Sequence, residues 1–131
     1  MQYLQNSNWI TTRNILEHNS PIFKKNFNTF KKIKSARLLI TALGVYQVEI
    51  NGKKVSADVL TPGWTNYRTR VQYQTYDVTA MIKERNIIEV VVGRGWYSSP
   101  MPGWLDNPEK KARYEQGIAL ISALVIDYQD G

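Results

Sequence analysis

The sequence predicts an all-β chain folded as an antiparallel β-sandwich. One observation is alternation. Between Gly44 and Val55, Tyr46, Val48 and Ile50 alternate with Gln47, Glu49 and Asn51, the period of a strand with one buried and one polar face. A second is the Asn51-Gly52 pair, which supplies the two positive-φ residues that a tight hairpin turn prefers. A third is the scarcity of helical periodicity: about eight strand-like segments follow one another, with a single weak helical turn.

In chain order, residues 1–20 form a polar lead-in, in which Trp9, Ile10, Ile15 and Leu16 are the residues able to pack. The sandwich occupies 21–131. Phe23-Lys-Lys-Asn-Phe27 alternates apolar with basic residues, as an edge strand does, and a turn is expected near Asn26–Thr29. Leu38, Ile40 and Ala42 share one face of the next strand, which Gly44 interrupts. After the hairpin comes a long loop, 56–69, with a Pro62-Gly63 turn. Arg70–Val78 returns as a strand. Asp77 to Thr79 then caps a short helical turn, and Met81 and Ile82 tuck under the sheet. Ile87–Val92 is apolar at both parities, as a strand covered on both sides is. A second long loop spans 98–116, and Ile118–Tyr128 is the last strand, again apolar at both parities. The chain stops on an Asp130-Gly131 turn signal, which points to a fragment of a longer polypeptide.

The bulk numbers bound the function. A chain of 131 residues, 43% hydrophobic and 21% charged, has a globular composition and room for one core. It contains no cysteine, which removes disulfides, thiolate chemistry and Cys-based metal sites and suits the cytoplasm. No stretch reaches the ~18 apolar residues of a membrane span, and the N-terminus lacks a signal-peptide pattern. No membrane partner is expected. The net charge of +6 is concentrated early, in Lys24, Lys25, Lys31, Lys32, Lys34 and Arg37. Spread over strands without a helical stripe, these residues read as protection of a sheet edge rather than a nucleic-acid surface.

The inventory argues against catalysis by this chain. His18 is the only histidine, so no His-based dyad, triad or His-rich metal site can be assembled. Gly93-Arg-Gly95 has the wrong spacing for a dinucleotide loop. The loop acids Asp58, Asp106, Glu109 and Glu115 are dispersed, with no pairing that glycosidic acid–base chemistry needs. What the loops do concentrate is aromatic surface: Trp64 and Tyr67 in one, Trp96, Tyr97 and Trp104 at and beyond the next strand end. Asn66, Arg68, Arg94 and Asp106 lie within a few residues of those rings. Flat aromatic rings beside amide, carboxylate and guanidinium groups suit pyranose rings. Trp64 and Trp96 also suit plugs that seal the ends of a sandwich, and the rings suit an interface with another domain.

Three runs carry a family resemblance: ARLLITALGVYQVEINGKKV, DVLTPGWTNYRTRVQYQTYDVT and GRGWY, in that order. They resemble the N-terminal β-sandwich of bacterial α-L-rhamnosidases of glycoside hydrolase family 78. More loosely, the chain is similar to jelly-roll, galactose-binding-domain-like modules of other glycosidases. The resemblance implies a jelly-roll-like accessory domain whose parent removes terminal rhamnose. It also implies that the catalytic carboxylates sit on a separate C-terminal (α/α)6 barrel. The partners it implies are that catalytic domain and a rhamnose-containing glycan or glycoside. By position, the resemblance marks the Gly-Trp-Thr-Asn-Tyr loop and the Gly-Trp-Tyr strand end as the places to expect a ligand. The expected carbohydrate contacts are therefore Trp64, Asn66, Tyr67, Arg94, Trp96 and Tyr97, with Trp104 and Asp106 added from the loop aromatics and their neighbours above. Related sandwiches use calcium, but here Asn66 and Arg94 stand where relatives carry acids. Calcium needs several oxygen ligands and negative charge, so no metal or other cofactor is expected. If the domain instead serves as a dock, the outer face of the last strand is expected to be exposed and apolar.

Overall fold

The computed structural model describes residues 2–13, 19–99 and 117–131. Among them, seven strands form two antiparallel sheets. The strands are β1 (Ile22–Asn28), β2 (Ile33–Leu43), β3 (Val45–Ile50), β4 (Lys53–Lys54), β5 (Gln74–Asp77), β6 (Arg85–Gly93) and β7 (Ala119–Tyr128). One sheet has the order β1-β6-β3-β4 and the other β5-β2-β7. A short helix α1 (Gln2–Gln5), a 3-10 turn (Thr79–Met81) and a helical turn α2 (Gly95–Ser98) complete the described elements. The fold is the expected all-β sandwich.

The alternation read from the sequence is what fills the space between the sheets. Ala36, Leu38, Ile40 and Ala42 of β2 face Tyr46, Val48 and Ile50 of β3 and Val90 and Val92 of β6. Val78, Ile118 and Leu120 close the same cluster, with Met81 and Ile82 packed against it. β2 and β3 are consecutive in the chain yet belong to different sheets, and Gly44 is the corner between them. Its φ is +135°, and a Cβ there would lie 2.2 Å from the Gly93 carbonyl oxygen. Only glycine allows the chain to switch sheets at that point.

The Asn51-Gly52 turn is observed with φ of 52° and 78°, as a hairpin with both central residues left-handed requires. The Asn51 side chain does more than tolerate the turn. Its Nδ2 donates to the Met81 carbonyl and to Asn86 Oδ1, both at 3.0 Å, and its Oδ1 accepts the Ile87 N–H. Asn86 is buried, and its carboxamide takes the Lys83 N–H and donates to the Lys83 carbonyl, each at 2.7 Å. Two carboxamides thus tie the β3–β4 turn to the turn before β6. The N-cap position of the 3-10 turn is Val78, which makes no side-chain cap bond; one residue earlier, Asp77 Oδ1 accepts the Thr79 N–H at 3.0 Å and its hydroxyl at 2.6 Å. Those bonds hold the Asp77 carboxyl below the usual carboxylate range.

Four expectations need correction. The turn placed near Asn26–Thr29 lies later, because β1 continues to Asn28 in register with Arg85, and the chain then crosses to the other sheet. Residues 70–73 are not strand. β5 begins at Gln74, and the preceding segment is held by side-chain bonds instead of a ladder. β6 is not covered on both sides: it is central within its sheet, but Val91 on the outer face is 39% exposed. The apolar outer face of β7 that a dock is expected to leave open is closed at Ile121, which is 6% exposed, while Ala119, Ala123 and Val125 are half-buried. Lying over that face is α1, which contacts β7 and β2, while the lead-in pairs with the edge of β7 through an antiparallel bridge between Ile10 and Leu120. β1 is the expected lysine-bearing edge, with Lys24 paired to Glu89 at 2.9 Å.

Candidate functional site

The expected site residues belong to the loop after β4 and the turn after β6. The loop is built outward from β3. The Tyr46 N–H donates to the Thr61 carbonyl at 2.8 Å, and the Thr61 hydroxyl donates back to the Tyr46 carbonyl at 3.0 Å. The Thr61–Pro62 peptide is cis, and the Gly63 N–H closes a turn onto the Leu60 carbonyl. A second turn follows, in which Asn66 Oδ1 accepts the Arg68 N–H at 3.3 Å and the Asn66 carbonyl accepts those of Thr69 and Arg70. Asn66 therefore shapes the loop that presents it.

A tyrosine network anchors the base of this loop. The buried Tyr46 hydroxyl donates to Gln74 Oε1 at 2.6 Å and lies 3.4 Å from the Tyr76 hydroxyl, which donates to Asp58 Oδ2 at 3.0 Å. Burial, with the Tyr76 hydroxyl beside it, drives the Tyr46 phenol far above its ordinary pKa, so it stays a neutral donor. Asp58, one of the loop acids, is thereby engaged in structure.

The second half of the site is the Gly93-Arg-Gly95 turn. A Cβ on Gly95 would sit 2.6 Å from Val45 Cγ1, and its φ is +51°. Glycine here lets α2 fold back against β3. The two halves meet at Tyr67 and Tyr97, both buried, whose rings pack edge-to-face with centroids 5.3 Å apart at 76°. The Tyr67 hydroxyl also donates to the Gly63 carbonyl at 3.1 Å. Around this joint, Trp64 is 48% exposed, Asn66 is exposed, and Arg94 and Trp96 are half-buried. Arg94 Nε is buried and has no hydrogen-bond partner among the described residues. Trp104 and Asp106 lie outside the described residues, as do His18, Glu109 and Glu115. Among the described residues there is no cluster of His, Cys, Asp and Glu able to hold a metal ion.

Residues 31–131 match the family model described as the α-L-rhamnosidase N-terminal domain. The chain belongs to that family. It is 43% identical over 102 residues to an α-L-rhamnosidase of Streptomyces avermitilis and 44% identical over 109 residues to one of Alteromonas. Those matches cover 77% and 82% of this chain, but only 9% and 11% of the relatives' own lengths. Among solved structures, native Aspergillus terreus α-L-rhamnosidase aligns with a TM-score of 0.82 at 38% identity, covering 94% of this chain and 14% of that one. The Streptomyces avermitilis α-L-rhamnosidase complexed with L-rhamnose aligns with a TM-score of 0.73 at 39% identity, over 84% of this chain and 10% of that one. The family domain is thus a small N-terminal part of a much larger glycoside hydrolase in its relatives. No helix among the described residues is long and apolar enough to cross a membrane.

Proposed function

We propose that the chain is a non-catalytic accessory domain of a larger α-L-rhamnosidase. In this reading it binds a rhamnose-containing glycan or glycoside weakly, through the Trp64 loop and the Arg94–Tyr97 turn. The observation that carries the reading is the Tyr67–Tyr97 joint. It brings the loop bearing exposed Trp64 and Asn66 beside the turn bearing Arg94 and Trp96. Aromatic surface next to amide and guanidinium groups is the chemistry that takes the apolar face and the hydroxyls of a pyranose. Among the described residues the buried Arg94 Nε has no partner, and such a donor is one that a sugar oxygen would satisfy. Glycosidic cleavage is assigned to a separate catalytic domain of the parent. The cysteine-free sequence keeps the cytoplasm as the compartment of this reading.

Isothermal titration of the chain with L-rhamnose tests the proposal. Saturable millimolar binding is expected, lost in Trp64→Ala and Trp96→Ala while the far-UV spectrum is unchanged. Binding that survives both substitutions would remove these residues from the site. The chain is expected to release no p-nitrophenol from p-nitrophenyl α-L-rhamnoside, and release would contradict the non-catalytic role.

A second reading, a structural dock on the parent's catalytic barrel, is favoured by Val59, which is 82% exposed beside exposed Leu60 on the same loop. Val59→Ser in the full-length parent would then lower its melting temperature. The same substitution would leave that of the isolated chain unchanged.

A further inference from the structure

The outer face of the three-stranded sheet carries a second groove, separate from the site above: none of Trp64, Asn66, Arg94 or Trp96 lines it. Its volume is about 680 Å³, within the range of small-molecule sites. The floor is Ile121 and Thr41, both buried, and the walls include the exposed rings of Trp9 and Tyr73. Arg70 and Gln72, also lining it, are exposed.

Both walls are fixed by hydrogen bonds. On one side, Ile10 and Leu120 exchange N–H···O bonds of 2.8 and 2.9 Å, and the Thr11 hydroxyl donates to the Ile118 carbonyl at 2.7 Å, which sets Trp9 on β7. On the other, the Thr41 hydroxyl donates to the Gln72 carbonyl and the Thr65 hydroxyl to the Arg70 carbonyl. Binding to a groove already in place avoids the cost of ordering it.

We propose that this groove is a second carbohydrate subsite, taking one pyranose ring against Trp9 and Tyr73 with its hydroxyls on Arg70 and Gln72. The inference rests on the reading of the domain as one that meets glycans, but on different residues. An apolar protein surface seated here would bury Arg70 and Gln72 without partners, which is costly. A sugar offers both an apolar C–H face for the rings and oxygens for the guanidinium and amide. Among the described residues of the lining Arg70 is the only charged one, so a ring bearing a carboxylate binds more tightly than its neutral counterpart.

The chain contains four tryptophans, whose indole N–H signals report each region separately in a ¹H–¹⁵N spectrum. The titrants are methyl α-L-rhamnoside, methyl β-D-glucoside and methyl β-D-glucuronide. The Trp9 indole is expected to shift saturably with at least one of them, and equally well in Trp64→Ala. Arg70→Ala, at an exposed position, should weaken that shift by roughly five-fold while the spectrum stays dispersed. Tyr73→Ala should remove it. A Trp9 signal unmoved by every sugar overturns the subsite, whether or not Trp64 and Trp96 respond. A Trp9 shift with Trp64 and Trp96 silent keeps the subsite and overturns the site proposed above. A Trp9 signal that moves with protein concentration and not with sugar makes the groove an interface between copies instead.

Discussion

The two outer faces of this sandwich come from strands that look alike in sequence and end in opposite surroundings. β6 and β7 are both apolar at both parities. On β6 the outward set includes Val91, open to solvent, and Glu89, paired with Lys24 across the edge. On β7 the outward Ile121 is buried, because α1 of the lead-in contacts β7 and β2 and the 70–73 segment lies over the neighbouring β2. Alternation inside a strand reports which residues can be buried, and the path of distant segments decides which are. The covered face is also the one that acquires a groove, since covering segments leave space between them.

Substitutions can break or sharpen that contrast, and the largest effect is expected at the corner that both sheets share. Gly44→Ala puts a Cβ against the Gly93 carbonyl and keeps a positive φ, so the variant should fail to accumulate folded protein. Gly93→Ala, whose nearest contact would be an ordinary 3.4 Å to a Val45 methyl, should fold; circular dichroism separates the two. Next comes the direct test of the faces. Ile121→Asn should cost about 2–4 kcal/mol in urea denaturation, against less than about 0.5 kcal/mol for Val91→Asn. Equal costs would mean that both faces are covered or both open.

Asn51→Gly keeps the turn's left-handed backbone but deletes the bonds to Met81, Asn86 and Ile87. It should cost about 1–3 kcal/mol, and a neutral result would reduce Asn51 to its turn geometry. Tyr46 adds a pH signature. Its folded pKa is raised above the unfolded value of about 10, so its stabilisation is present below that pH and is lost as pH rises beyond it. Tyr46→Phe should flatten the fall in stability above pH 10, at a cost of about 1 kcal/mol at neutral pH. The smallest effect belongs to the open face. Lys24→Ala removes a solvent-exposed ion pair and should change stability by less than about 0.5 kcal/mol, with the difference vanishing at high salt.

The core was readable because each inward set is a run of alternating apolar residues, as in Leu38-Ile40-Ala42 and Tyr46-Val48-Ile50. The hairpin was readable because Asn-Gly has few other uses. The role of Asn86 was not: it is a polar residue on the inward parity of β6, and its partner Asn51 is 35 residues away. Residues 70–73 read as strand because Val71 and Tyr73 alternate, yet Thr41 and Thr65 hold that segment from outside the ladder. At the candidate site, the aromatic residues of the loops were legible, but their division of labour was not. Tyr67 and Tyr97 are buried against each other, and Trp64 is left outward. The groove at Trp9 and Tyr73 was invisible because it joins the lead-in to a loop some sixty residues later, a pairing that no local pattern announces.

The contrast between the faces rests on the lead-in being part of the fold, and amide hydrogen exchange on the intact chain tests this most directly. Ile10 donates to Leu120 and accepts from it, so both amides should be protected to a degree comparable with the interior of β7. Exchange of Ile10 at the rate of an unstructured chain would contradict the account, leaving Ile121 and the Trp9 groove open to solvent.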